Sequence, residues 1–260
     1  MAAYVAALFK YHDMKRIIIT LLLPLLAIAA SAQAIDILSL NNSLIDYNNQ
    51  PAMFNAMAAA MGKDARWQAR TQLGRTLIFH FNDPLSHDMA MSRPWHFIIL
   101  QEQSALPRTA EEAFAQSVLL WKKALLDKYP ESTPTIILPM NWAYSDADDI
   151  KAQTAKLKRS YLNAARDIPG VVVSPVGLAY EMIYNRDGAD AFAELYTDNR
   201  HPTLAATYLA ACLEYAVIFG ESPEKITFVP EGLDGKKAAH MRRIAADTLA
   251  DWTTYSSTSR

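Results

Sequence analysis

From residue 35 onward, short apolar runs alternate with longer stretches that are apolar on one side only. Residues 35–40, 96–100, 135–140 and 171–174 are predominantly apolar without strict alternation, and 66–72 is a weaker run. Apolar runs of this length predict strands buried on both faces. The intervening stretches carry helical spacing. Over 109–128, Phe114, Val118, Trp121 and Leu125 share one face; over 146–167, Ile150, Thr154, Leu157 and Tyr161 do so. A helix over 51–61 starts near Pro51 and stops near Gly62, and three more are expected over 177–184, 202–219 and 233–252. Strands separated by helices pair in parallel with right-handed crossovers. The pattern therefore predicts an α/β fold: a three-layer α/β/α sandwich around a five-stranded parallel sheet. Ligands of such sheets bind beyond the carboxyl ends of the strands.

The first residues read differently. Lys15 and Arg16 precede an apolar run over 17–30, followed by Ser31-Ala32-Gln33-Ala34. A positive end, a short apolar core and a small-residue exit form a secretory signal. Residues 1–34 are thus expected to be an upstream extension plus signal peptide cleaved near Ala34, with Met14 an alternative start. An exported protein, periplasmic or secreted, follows, with a domain over 35–252, a polar tail over 253–260 and no integral membrane segment in the mature chain.

Composition narrows the class. The chain has 260 residues, 51% apolar, with eight glycines, one cysteine and net charge −2. Disordered, collagen-like and disulfide-scaffold chains are excluded. Three of the 25 basic and one of the 27 acidic residues precede Ile35, so the remainder carries −4. That balance argues against a nucleic-acid partner. Cys212 falls in an apolar helical run, as a buried thiol would.

Candidate chemistry collects where strands end. Ser43, in Asn41-Asn42-Ser43, follows the first strand; Asn-Asn-Ser is also ordinary turn composition. Gly74 follows the second strand and can bring a backbone N–H close to a ligand. Leu100-Gln101-Glu102-Gln103-Ser104 ends the third and offers side-chain amides. Asp198-Asn199-Arg200-His201-Pro202 precedes an apolar helix whose first position suits Pro202. Its D-x-x-H turn can set a carboxylate against one imidazole nitrogen and leave the other to face a nucleophile.

Taken in this order, the blocks resemble the SGNH/GDSL hydrolases, esterases and lipases, over nearly the whole mature chain. The exported bacterial branch is the nearest in pattern, through Leu38-Ser39-Leu40-Asn41-Asn42-Ser43, the Gln101–Ser104 block and His201-Pro202 through Ala211. The resemblance implies a flavodoxin-like sandwich and a serine ester hydrolase without cofactor or metal. It implies Ser43 as nucleophile, His201 as base and Asp198 as its orienting carboxylate. The N–H groups of Ser43 and Gly74 and the amide of Gln103 would hold the oxyanion, with Gln101 an alternative to Gln103. Asn41 stands where the pattern has glycine, and Gln103 where it has asparagine.

Asn42, Gln101, Glu102 and Trp142 are expected to contact substrate, Trp142 and Tyr144 as rings able to stack on a sugar. The expected substrate is a small-molecule or carbohydrate ester, with acetyl removal from carbohydrate first. A silent glycan-binding module, an acyltransferase and a lipase or thioesterase are the alternatives. His80 and His87, near Asp83 and Asp88, lack a helical metal-ligand pair. His80 alternates with apolar neighbours and reads as packed or half-exposed, while Asp146, Asp148 and Asp149 read as a helix start.

Overall fold

Alternate side chains of a strand point to opposite faces, and here both faces are apolar. The computed structural model describes residues 34–258, so the signal peptide expected over 1–34 lies almost wholly outside the described residues. In chain order the elements are β1 (Ile35–Asn41), α1 (Ser43–Asp46), α2 (Gln50–Ala60), β2 (Ala65–Thr71), α3 (Leu77–Asn82), α4 (Pro84–Ala90) and β3 (Phe97–Leu100). Then come α5 (Leu106–Thr109), α6 (Glu111–Lys128), β4 (Thr135–Pro139), α7 (Ile150–Ala165) and β5 (Val171–Ser174). The chain ends with α8 (Val176–Asp187), α9 (Ala189–Ala193), α10 (Leu204–Phe219) and α11 (Gly235–Thr258).

The five strands form one parallel sheet in the order β2-β1-β3-β4-β5, with Ile37 beside Trp67 on one side and Phe97 on the other. Ile37, Ile99 and Ile137 face one core with α2, α8, α10 and α11. Leu38, Leu40, Ile98, Leu100, Ile136 and Leu138 face the other, against α6 and α7. The stripes expected on α6 and α7 are buried in full, from Phe114 to Leu125 and from Ile150 to Tyr161. Cys212 is fully buried in α10, and burial pushes its thiol up to about 12.

Several boundaries differ from expectation, and three have a visible cause or consequence. The third long helix begins at Ile150, not near 146, because the Asp149 carboxylate caps it by accepting from Ala152 N at 2.9 Å. The helix expected from Pro202 begins at Leu204, because Pro202 is held in a bridge with Tyr196. The last helix, α11, extends to Thr258, into the segment read as a polar tail. Among the described residues no helix is long and apolar enough to cross a membrane.

The strand order reverses at β1: its first crossover leads outward to β2, and the next returns to β3 on the other side. A crevice opens at such a switch point, outside the carboxyl ends of the strands. The loops after β1, β2 and β3 all meet there.

Candidate active site

Ser43 is placed by the residue before it. Asn42 is extended and caps α1 by accepting from Leu44 N at 3.2 Å. Its amide also donates to Arg75 O at 3.2 Å, and its backbone N–H donates to Gln101 Oε1 at 3.3 Å. The loop carrying Ser43 is therefore clamped to the loops after β2 and β3. Asn41 needs no glycine-like backbone: among the described residues, the non-glycine positions with positive φ are Asn48, Asn49 and Asp167. Its buried side chain accepts from Ser39 Oγ at 2.7 Å and donates to Thr71 Oγ1 at 2.9 Å, which joins β1 to β2.

The Asp198–His201 turn approaches from the far end of the chain. Asp198 Oδ1 accepts from the backbone N–H groups of Arg200 and His201 at 2.7 and 2.8 Å. Its Oδ2 lies 2.7 Å from His201 Nδ1, and His201 Nε2 lies 2.9 Å from Ser43 Oγ. Serine, imidazole and carboxylate thus form one hydrogen-bonded line across 158 residues of sequence. The hydrogen bond from His201 comes first among the effects that hold the Asp198 carboxyl down at about 2. The ring of Tyr47, 38% exposed, stacks on His201 with centroids 4.5 Å apart and planes at 14°.

The expected oxyanion donors sit in different settings. Ser43 N is a first-turn N–H, which α1 leaves without an intrahelical partner. Gly74 has φ +67° in the exposed turn after β2, with nothing within 4 Å of where a Cβ would stand. Gln103 is half-buried, and its carbonyl oxygen is fixed by Ala105 N at 2.8 Å and Leu106 N at 3.0 Å. Fixing that oxygen also fixes the amide NH₂, which has no partner among the described residues. Gln101 is different. Its amide donates to Glu102 O at 2.8 Å and Asn141 Oδ1 at 3.2 Å, so both ends are in use.

Neither a family model nor a curated protein matches the sequence. Solved structures do. A Bacteroides uniformis protein of the DUF4886 family is 16% identical, with TM-score 0.68 over 84% of this chain and 95% of that one. A Slackia heliotrinireducens protein described as a candidate SGNH hydrolase is 26% identical, with TM-score 0.56 over 72% of this chain and all of that one. The esterase EstA of Pseudoalteromonas, in a structure inhibited by monoethylphosphonate, is 11% identical, with TM-score 0.52 over 72% of this chain and 97% of that one. The chain has the SGNH/GDSL hydrolase fold.

Within that fold, the four residues expected to contact substrate are inside the protein. Asn42 and Gln101 are each 2% exposed, Glu102 is fully buried and Trp142 is 8% exposed. Each holds a loop instead. Glu102 Oε1 accepts from Leu77 N at 3.1 Å and Gln103 N at 2.7 Å, and burial pushes its carboxyl up to about 7. Trp142 stacks on Tyr180 at 4.6 Å and donates from Nε1 to Arg200 O at 2.9 Å, steadying the turn that carries His201.

His80 is fully buried, because 77–82 is the helix α3 rather than an alternating strand. Its Nε2 lies 3.2 Å from Asn41 O and its Nδ1 2.9 Å from Ser86 Oγ, so it packs behind the Ser43 loop. His87 stands beside Phe81 and Trp121. Among the described residues no three His, Cys, Asp or Glu side chains are grouped to hold a metal ion. Tyr47 and Asn48 were not singled out from the sequence. Asn48 donates to Pro202 O at 3.1 Å and Thr207 Oγ1 at 2.9 Å, tying the end of the Ser43 segment to α10. No local pattern marks either residue, since both partners lie more than 150 positions away.

Proposed function

We propose that the protein is an exported serine ester hydrolase with Ser43 as nucleophile, His201 as base and Asp198 as its orienting carboxylate. The observation that carries this reading is the unbroken line from Ser43 Oγ through His201 to Asp198, at 2.9 and 2.7 Å. His201 takes the Ser43 proton as the oxygen attacks the ester carbonyl, and Asp198 stabilises the imidazolium that forms. The oxyanion is met by the N–H groups of Ser43 and Gly74 and by the Gln103 amide. Collapse expels the alcohol, which takes the proton from His201. Water then attacks the acyl-enzyme with His201 again as base.

The acyl group in this reading is short, acetyl first, and the alcohol is a carbohydrate or another small alcohol. Tyr47, not Trp142, is the exposed ring beside His201 and the surface on which a sugar would lie. The leader-like pattern of residues 1–34 supports export, and a mature N-terminus near Ile35 in the secreted fraction is the expected observation.

The test uses phenyl acetate, acetylated polysaccharides and a fluorophosphonate probe. Hydrolysis is expected in the wild type and loss of it in Ser43→Ala and His201→Ala, with the probe bonded to Ser43. Full activity in either variant would overturn the assignment. A folded protein that takes no probe but binds glycan would be a silent binding module. Acetyl transfer to a sugar outpacing hydrolysis would make it an acyltransferase.

A further inference from the structure

Most arginines here with an identified charge partner are structural: Arg66 and Arg93 pair with Asp36, Arg70 with Asp83, Arg159 with Glu111 and Arg186 with Asp247. Arg108, after the Gln103 loop, and Arg200, next to His201, have no carboxylate partner among the described residues. Both guanidiniums lie over one ring, that of Tyr144, at 4.3 and 4.9 Å from its centre. They are therefore at most about 9 Å apart. Arg108 Nε is closed off from solvent and has no hydrogen-bond partner.

The platform between them is rigid. Tyr144 is 8% exposed; its hydroxyl donates to Ser104 Oγ at 2.8 Å, and its N–H donates to Gln153 Oε1 at 2.8 Å. On the Arg108 side, a groove of about 310 Å³ is lined by Arg108, Thr109, Ala152, Gln153 and Lys156, so its charged lining residues are both cations. Of the acids on the neighbouring loops, Asp198 is bonded to His201, Asp146 to Asn199 and Asp149 to Ala152 N, while Asp148 is exposed. Two like charges and an unpaired buried donor are thus gathered on a fixed ring at the edge of the site. A carboxylate bound beside the two guanidiniums would offset their repulsion through their outward N–H groups.

We propose that the site takes anionic esters, with the negative group on the alcohol side of the scissile bond, held by Arg108 and Arg200. This rests on the hydrolase reading above. The side follows from the chemistry: His201 returns its proton to the leaving alcohol, and Arg200 is the adjacent residue. The guanidinium fork favours a planar carboxylate, as on an acidic sugar or an aromatic acid.

The experiment compares para-acetoxybenzoate with the neutral para-acetoxybenzamide, and phenyl hemisuccinate with phenyl acetate. In the wild type at low salt, kcat/KM is expected to favour the benzoate over the amide by about tenfold or more, the ratio shrinking as salt rises. Arg108→Gln and Arg200→Gln should each pull the ratio toward one, and Arg108→Lys should restore part of it. In a second arm, calorimetry measures para-acetoxybenzoate binding to Ser43→Ala, expected to weaken about tenfold or more when both arginines are also replaced by glutamine.

Equal kcat/KM for benzoate and amide, or a ratio indifferent to both arginines, overturns the proposal. So does a preference for the hemisuccinate alone, which would put the anion on the acyl side. If the wild type cleaves no ester, or Ser43→Ala keeps its activity, the hydrolase reading fails instead. Calorimetry with the arginine variants then decides the anion site by itself.

Discussion

Gln101 and Gln103 are two residues apart and chemically identical, yet their surroundings give them different work. Gln103 spends its carbonyl oxygen on the first turn of α5 and keeps its NH₂ open. Gln101 spends both ends inside the protein. Gln103→Ala is therefore expected to lower kcat by about 10²–10³, the usual cost of one oxyanion donor, with little change in KM and with about 0.5–2 kcal/mol of stability lost from the start of α5. Gln101→Ala is expected to cost stability, about 1–3 kcal/mol for the buried partners it strands. Steady-state kinetics beside a thermal melt separates the two, and the reverse pattern would exchange their roles. Asp198 makes the same point for charge. Because His201 holds its carboxyl near 2, it stays ionised across any ordinary assay pH. Asp198→Asn should thus lower kcat at every pH above 4, as a pH series of steady-state rates would show.

At the level of elements, the loop that carries His201 depends on groups outside it. Trp142, three positions after β4, donates to Arg200 O and is stacked flat on Tyr180 of α8. Trp142→Phe keeps the stack and removes the donor. It should leave the melt within about 1 kcal/mol of wild type and lower kcat, because the turn can drift while the fold stands. Unchanged kcat would mean that Asp198 and the Tyr196–Pro202 bridge hold the turn unaided. The same loops show what the sequence discloses. The strands were legible as apolar runs, and Ser43, Gly74, Gln103 and the Asp198–His201 turn were legible because each follows a strand or precedes a helix. The burial of Asn42, Gln101, Glu102 and Trp142 was not. Polar residues in a loop read as solvated, and the partners that bury these lie 25 to 59 positions away. Helix α3 was hidden for a related reason. Its pattern of alternating polarity suits a strand, but the Thr76 hydroxyl caps a helix by accepting from Phe79 N at 3.2 Å.

For the whole molecule, the polar groups sealed inside the two cores tie stability to pH. Glu214 in α10 is fully buried, and neither carboxylate oxygen has a hydrogen-bond partner among the described residues. Burial raises its carboxyl from 4.5 to about 8. Between those values the folded protein keeps the proton and the unfolded chain does not. Stability from this group is therefore full below pH 4.5 and is lost as pH rises through about 8. Glu102, raised to about 7 by burial, adds a slope of the same sign. Buried His80, whose pKa is lowered, works the other way: its contribution is lost as pH falls below 6.5. Comparison with a variant isolates the Glu214 part. Glu214→Gln keeps the shape, carries no titrating proton and leaves Glu102 and His80 in place. From pH 5 to pH 8.5 the wild-type melting temperature should fall relative to the variant, by roughly 5–10 °C over the range. The slope is the informative quantity, because a glutamine amide in the same apolar setting carries its own pH-independent cost. Parallel melting curves for the two proteins across that range would mean that Glu214 ionises in place, with a partner or water satisfying it.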